Sequence, residues 1–131
     1  MPRIMILEDD TNLRRFLSIF VKSRGHTVSF EGGSGHVGLQ HLAREPQATD
    51  VILSDLRMPI ADGLDVLAGA QALKGAHARV ILSSAHWTEE EIVLARDLGA
   101  FALLAKPFDL ELLATTLVGA AAPAKPQTIE A

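Results

Sequence analysis

Five short aliphatic runs recur along the chain with helical patterns between them, and this alternation limits the fold more than any other feature. The runs are RIMIL (3–7), TVSF (27–30), DVILS (50–54), RVILSS (79–84) and FALLA (101–105). Each is four to six residues long and rich in aliphatic side chains, as buried strands are. Leu13, Phe16, Leu17, Phe20 and Val21 form an apolar stripe at helical spacing, which Gly25 ends. Thr88 with Glu91 three residues on is a capping box, and the helix it opens stops at Gly99. Asp109 is placed to cap a last helix carrying Leu110, Leu113, Ala114 and Leu117. Segments 35–44 and 63–74 are weaker helical patterns, interrupted by Gly38 and Gly69.

Strand and helix in strict alternation imply βαβ units and a parallel sheet covered on both faces. Near-continuous apolar strands fit that better than a half-exposed antiparallel sheet. The expectation is an α/β fold: a doubly wound five-stranded sheet in the order 2-1-3-4-5, with five helices. The 131 residues suit one domain over 1–118 that buries roughly two thirds of its unfolded surface. From Gly119 the sequence GAAAPAKPQTIEA loses periodicity, so 119–131 reads as a flexible tail or linker.

Composition removes several classes of function. With no cysteine, disulfides, thiol catalysis and thiolate metal sites are excluded. A net charge of −4 argues against direct nucleic-acid binding. No apolar run approaches the roughly 20 residues that span a bilayer. The start MPRIMILEDD runs into acid without a signal-peptide layout, which implies a cytoplasmic protein with no membrane partner.

Open α/β sheets collect their chemistry at the carboxyl ends of the strands. The first run is followed by Glu8, Asp9 and Asp10, and the third by Asp55. The fourth ends in Ser84 and the fifth leads to Lys106; the second gives only a turn, EGGSG. Singly, each has an ordinary reading: a helix cap, a turn former, a solvated charge. Together, carboxylates at one sheet end repel unless a cation neutralises them, and hard oxygen ligands suit Mg²⁺. With an ammonium and a hydroxyl added, the set suits a phosphoryl group. Asp10 is assigned to the helix cap rather than the metal.

The motifs IMILEDD, LSDLRMPIADG, Ser84-Ala85 in VILSSA, and Lys106-Pro107 in LLAKPF stand in this order at suitable spacing. From about residue 3 to 118 the chain resembles the receiver domain of two-component response regulators, a flavodoxin-like fold. The resemblance implies that Asp55 accepts a phosphoryl group as an aspartyl phosphate. It implies that Glu8, Asp9, Asp55 and the backbone carbonyl of Arg57 hold Mg²⁺. Lys106 would pair with the phosphoryl oxygens, its bond to Pro107 cis, and Ser84 would move toward the phosphoryl group. Met58-Pro59 and Asp62-Gly63 would shape the loop after the acceptor. By the same resemblance, Arg57 and His86 would stand at positions that tune phosphorylation and hydrolysis. The other histidines (26, 36, 41, 77) lack metal-ligand spacing.

The implied partners are a sensor histidine kinase or phosphotransfer protein as donor, and a downstream target or a missing output domain. A homodimer through the last two helices is a further expectation. The domain would catalyse only its own phosphorylation and dephosphorylation. A haloacid-dehalogenase-type phosphatase needs a second acid two residues after its nucleophile, where this chain has Arg57. A phosphorylation-independent binding module on the same fold is the alternative, kept open by one departure. Three residues before the lysine, where the family commonly has an inward-turning aromatic, stands Leu103, and the chain has no tyrosine. Phe101 is a candidate substitute, because strand alternation puts it on the face of Leu103.

Overall fold

The computed structural model describes residues 2–122 and 129–130. In chain order the elements are β1 (Arg3–Leu7), α1 (Thr11–Ser23), β2 (Thr27–Gly32), α2 (Gly35–Arg44), β3 (Val51–Asp55) and α3 (Gly63–Ala72). There follow β4 (Arg79–Ser84), α4 (Glu89–Asp97), β5 (Ala102–Ala105), α5 (Leu110–Ala121) and β6 (Ile129–Glu130). Every strand pair is parallel, in the order β2-β1-β3-β4-β5-β6. The expected order of the first five strands is therefore present, with a two-residue strand added outside β5.

The sheet is buried on both faces, so successive strand residues enter different cores. Ile4, Ile6, Val51, Leu53, Ile81 and Leu104 pack toward α1 and α5, with Leu17, Val21, Leu113 and Leu117. Met5, Leu7, Ile52, Val80, Leu82 and Leu103 pack toward α2, α3 and α4, with Leu42, Leu67 and Ala95. Each such side chain contributes about 1.5–3 kcal/mol of transfer free energy. That sum holds the strand ends in register and fixes what projects from them.

The helix boundaries follow their caps. Gly25 and Gly99, at φ +88° and +91°, stand just past the ends of α1 and α4. Both capping-box hydrogen bonds of Thr88 and Glu91 are formed. On α1, Phe16 departs from the expected stripe: it is 44% exposed and stacks on Phe20. Gly38 and Gly69 interrupt nothing. A Cβ at Gly38 would lie 2.5 Å from Leu7, and one at Gly69 would lie 2.6 Å from Leu39, so both glycines let neighbouring layers approach.

Helix α5 runs past residue 118 to Ala121. Arg79 donates to the carbonyls of Ala120 and Ala122 and so satisfies the helix end. Of the expected tail, 119–121 complete α5 and 129–130 pair with β5, while 123–128 and 131 lie outside the described residues. Among the described residues, no helix is long and apolar enough to cross a membrane.

Candidate functional site

β1 ends at Leu7, and the next three residues have different fates. Asp10 caps α1, its Oδ1 accepting from Asn12 N at 2.9 Å and Leu13 N at 3.1 Å. Glu8 is turned inward and is 2% exposed, while Asp9 stays at the rim. Asp55 closes β3, anchored from behind by Leu56 N–H on Ser83 O at 2.8 Å and Gly63 N–H on Leu56 O at 2.7 Å. Asp62, whose side chain takes the Asp65 N–H, caps α3. Oxygen atoms of Glu8, Asp9 and Asp55 lie within 4.8 Å of one another. Asp10 is outside this group, as expected.

Lys106 reaches the group from the end of β5. Its N–H bonds Ser84 O at 2.9 Å, and its Nζ lies 2.7 Å from Glu8 Oε1 and 3.2 Å from Asp55 Oδ1. The Lys106–Pro107 bond is cis. Burial pushes the Asp55 and Glu8 carboxyls up, and the nearby ammonium only partly offsets it. For Lys106, burial works downward, but Glu8 and Asp55 outweigh it and the ammonium is held above its ordinary range.

Ser84 is buried at the end of β4. Its hydroxyl donates to His86 O at 2.8 Å and accepts from His86 N at 3.1 Å. Thus His86 meets the hydroxyl through its backbone. Arg57 crosses the opening: Nη1 bonds Ser84 Oγ at 2.8 Å and His86 O at 3.1 Å, and Nη2 bonds Glu91 Oε2 at 2.8 Å. Asp55, Arg57, Ser84, Ala85, His86 and Lys106 line one cleft of about 240 Å³.

Three contacts lie beyond what the sequence pattern shows. Arg57, expected as a carbonyl ligand at a tuning position, also spans Ser84 and Glu91 with its guanidinium. Glu91, expected only in a helix cap, receives that guanidinium. Trp87, with no expected role, donates its indole N–H to Leu104 O at 2.9 Å and fastens the β4–α4 loop to β5. The third residue of a capping box following the hydroxyl loop was the available signal for Glu91.

One expectation is corrected. Phe101 does not share a face with Leu103: it packs in the α1–α5 core, with the Arg79 guanidinium 5.9 Å from its ring centroid, whereas Leu103 packs toward α2–α4. Phe101 sits in the bend before β5, which begins at Ala102, so strand alternation does not extend back to it.

The cleft presents an ammonium, a guanidinium and a hydroxyl beside a buried carboxylate, which suits a tetrahedral oxyanion. The adjacent group is all hard oxygen, and its buried acids favour a neutralising cation, so it fits a divalent ion such as Mg²⁺.

A family model for the response regulator receiver domain matches residues 4–118. The transcriptional regulatory protein GlrR of Escherichia coli is 32% identical over 97% of this chain and 28% of its own length. The transcriptional activator protein PfeR of Pseudomonas aeruginosa is 38% identical over 83% of this chain and 34% of its own. The chain thus spans about a third of these relatives. A response regulator receiver domain protein from Clostridium thermocellum superposes with a TM-score of 0.85 at 24% identity, over 92% of this chain and 94% of that one. Chemotaxis protein CheY4 of Vibrio cholerae gives 0.80 at 22%, over 92% and 98%; these two likenesses bear on the fold. With the family model covering most of the chain, this protein belongs to the response regulator receiver domain family.

Proposed function

We propose that Asp55 is the phosphoacceptor of this receiver domain, served by the residues around it. An Asp55 carboxylate oxygen attacks the phosphorus of a phosphohistidine on a sensor kinase or phosphotransfer protein. A P–O bond forms, the donor's P–N bond breaks, and the leaving imidazole takes a proton from solvent. Lys106 pairs with the phosphoryl oxygens and offsets part of what burial costs the Asp55 carboxylate, and Ser84 supplies a hydroxyl donor. Hydrolysis by water at phosphorus returns the carboxylate, with Arg57 and His86 flanking the path of that water. Glu8, Asp9, Asp55 and the Arg57 carbonyl would hold Mg²⁺, which when bound neutralises charge on the transferring group.

The observation that carries this reading is Lys106 Nζ between Glu8 Oε1 and Asp55 Oδ1, at 2.7 and 3.2 Å. GlrR and PfeR are named as transcriptional regulators, so the recipient of the signal in this reading is an output domain or a separate target protein. The test is incubation with Mg²⁺ and an acyl phosphate, followed by intact-mass measurement. One phosphoryl mass shift is expected in wild type and none in Asp55→Asn. An absent shift in wild type, or an equal one in the variant, rejects the assignment.

A further inference from the structure

The hydroxyl of Ser84 has one proton, and it is committed to His86 O at 2.8 Å. The oxygen in turn accepts from Arg57 Nη1, also at 2.8 Å. The other end of that guanidinium holds Glu91 Oε2, while Glu91 Oε1 accepts the Thr88 N–H at 3.0 Å. Glu91 N–H returns to Thr88 Oγ1 at 3.1 Å. One guanidinium thus ties the hydroxyl at the end of β4 to the capping box that opens α4.

A phosphoryl group on Asp55 would compete for the guanidinium and for the Ser84 proton. Asp55, Arg57, Ser84 and Lys106 share one cleft. The group brings roughly two negative charges and three strong acceptors. Guanidinium matches phosphate oxygens bidentately, whereas an ion pair as exposed as Arg57–Glu91 is weak. Leu103, 2% exposed and apolar, has nothing that a phosphoryl group could recruit.

We propose that Arg57 carries the state of Asp55 to α4: a phosphoryl group draws its guanidinium from Glu91 and loosens the first turn of that helix. The proposal rests on Asp55 being the acceptor. Ser84 is released in the same rearrangement, its proton turning from His86 O toward a phosphoryl oxygen. Leu103 then need not swing for the signal to leave the site.

The test is amide hydrogen exchange over residues 88–92 of the whole chain, with and without beryllium fluoride plus Mg²⁺ as a phosphoryl mimic. Fluorine NMR reports binding of the mimic independently. Wild type, Arg57→Ala and Glu91→Gln are compared; glutamine keeps the capping box and removes the charge. In wild type, loading should speed exchange by roughly two- to fivefold, the worth of an exposed ion pair. Both variants should exchange at the raised rate before loading and gain little from it. Absence of bound fluoride in wild type overturns the acceptor assignment and this coupling with it. Bound fluoride without faster exchange, or variants that respond as wild type does, overturns the coupling alone.

Discussion

Lys106 Nζ stands 2.7 Å from Glu8 Oε1, joining side chains 98 positions apart in sequence. The pair explains how a lysine at the end of an apolar segment is kept from solvent. Its ammonium is the only cation in direct contact with two buried carboxylates among the described residues, and it would share that task with a bound metal. Lys106→Met should therefore split two properties. Mg²⁺ should bind more tightly by titration calorimetry, because a repelling charge is gone. Labelling of Asp55 by an acyl phosphate should slow by about 10²–10³, as for loss of one preorganised donor. Weaker Mg²⁺ binding would mean that the lysine mainly props the carboxylates in place.

Gly63 and Gly69 lie on the same helix, and alanine should affect them in opposite ways. A Cβ at Gly63 would stand 2.7 Å from the Asp55 carbonyl oxygen and 2.9 Å from Leu56 Cα, neither of which can turn aside. Gly63→Ala should cost about 1–3 kcal/mol and weaken Mg²⁺ binding by displacing Asp55. A Cβ at Gly69 meets the tip of Leu39, a half-buried side chain that can change rotamer. Gly69→Ala also gains about 1 kcal/mol of helix propensity, so its Tm should hold or rise. Equal losses in the two variants would contradict this distinction between backbone and side-chain neighbours.

Phe101 lies across the sheet from the face that carries Leu103, under α5 and beside Gly119. Phe101→Ala should lower stability by about 3–5 kcal/mol in thermal or urea unfolding. At a temperature where the variant is folded, its Asp55 labelling rate should match wild type within about twofold, far less than a lost catalytic donor would cost. A rate loss beyond that would restore a role for the ring in the site.

What could be read in the sequence was whatever topology alone decides. Asp55, Ser84 and Lys106 could be placed at one end of the sheet because parallel strands bring their carboxyl ends together wherever the helices rotate. Asp10 could be set apart from Glu8 and Asp9 because capping is a local pattern. The guanidinium of Arg57 could not be placed, because its reach to Glu91 depends on the rotation of α4 about its own axis. Strand alternation gives the wrong face for Phe101 because β5 begins one residue later than the apolar run. Gly38 and Gly69 looked like interruptions, since helix propensity takes no account of a neighbouring layer.

Away from the site, Asp50 gives the fold an acid-sensitive joint. It accepts from Arg3 N at 2.7 Å, Arg3 Nε at 3.1 Å and Arg3 Nη2 at 3.0 Å, with His77 Nε2 at 3.0 Å. The Arg3 side-chain hydrogen bonds, opposed in part by burial and aided by His77, hold this carboxyl well below the usual carboxylate range. A depressed folded-state value adds stability above the unfolded pKa of about 3.9, and that stability drains away as pH falls further. Asp50→Asn should therefore have a lower Tm than wild type at pH 7, and the gap should narrow steadily below about pH 4. A gap that stays constant down to about pH 2 would show that the shape of the side chain, rather than its charge, does the joining.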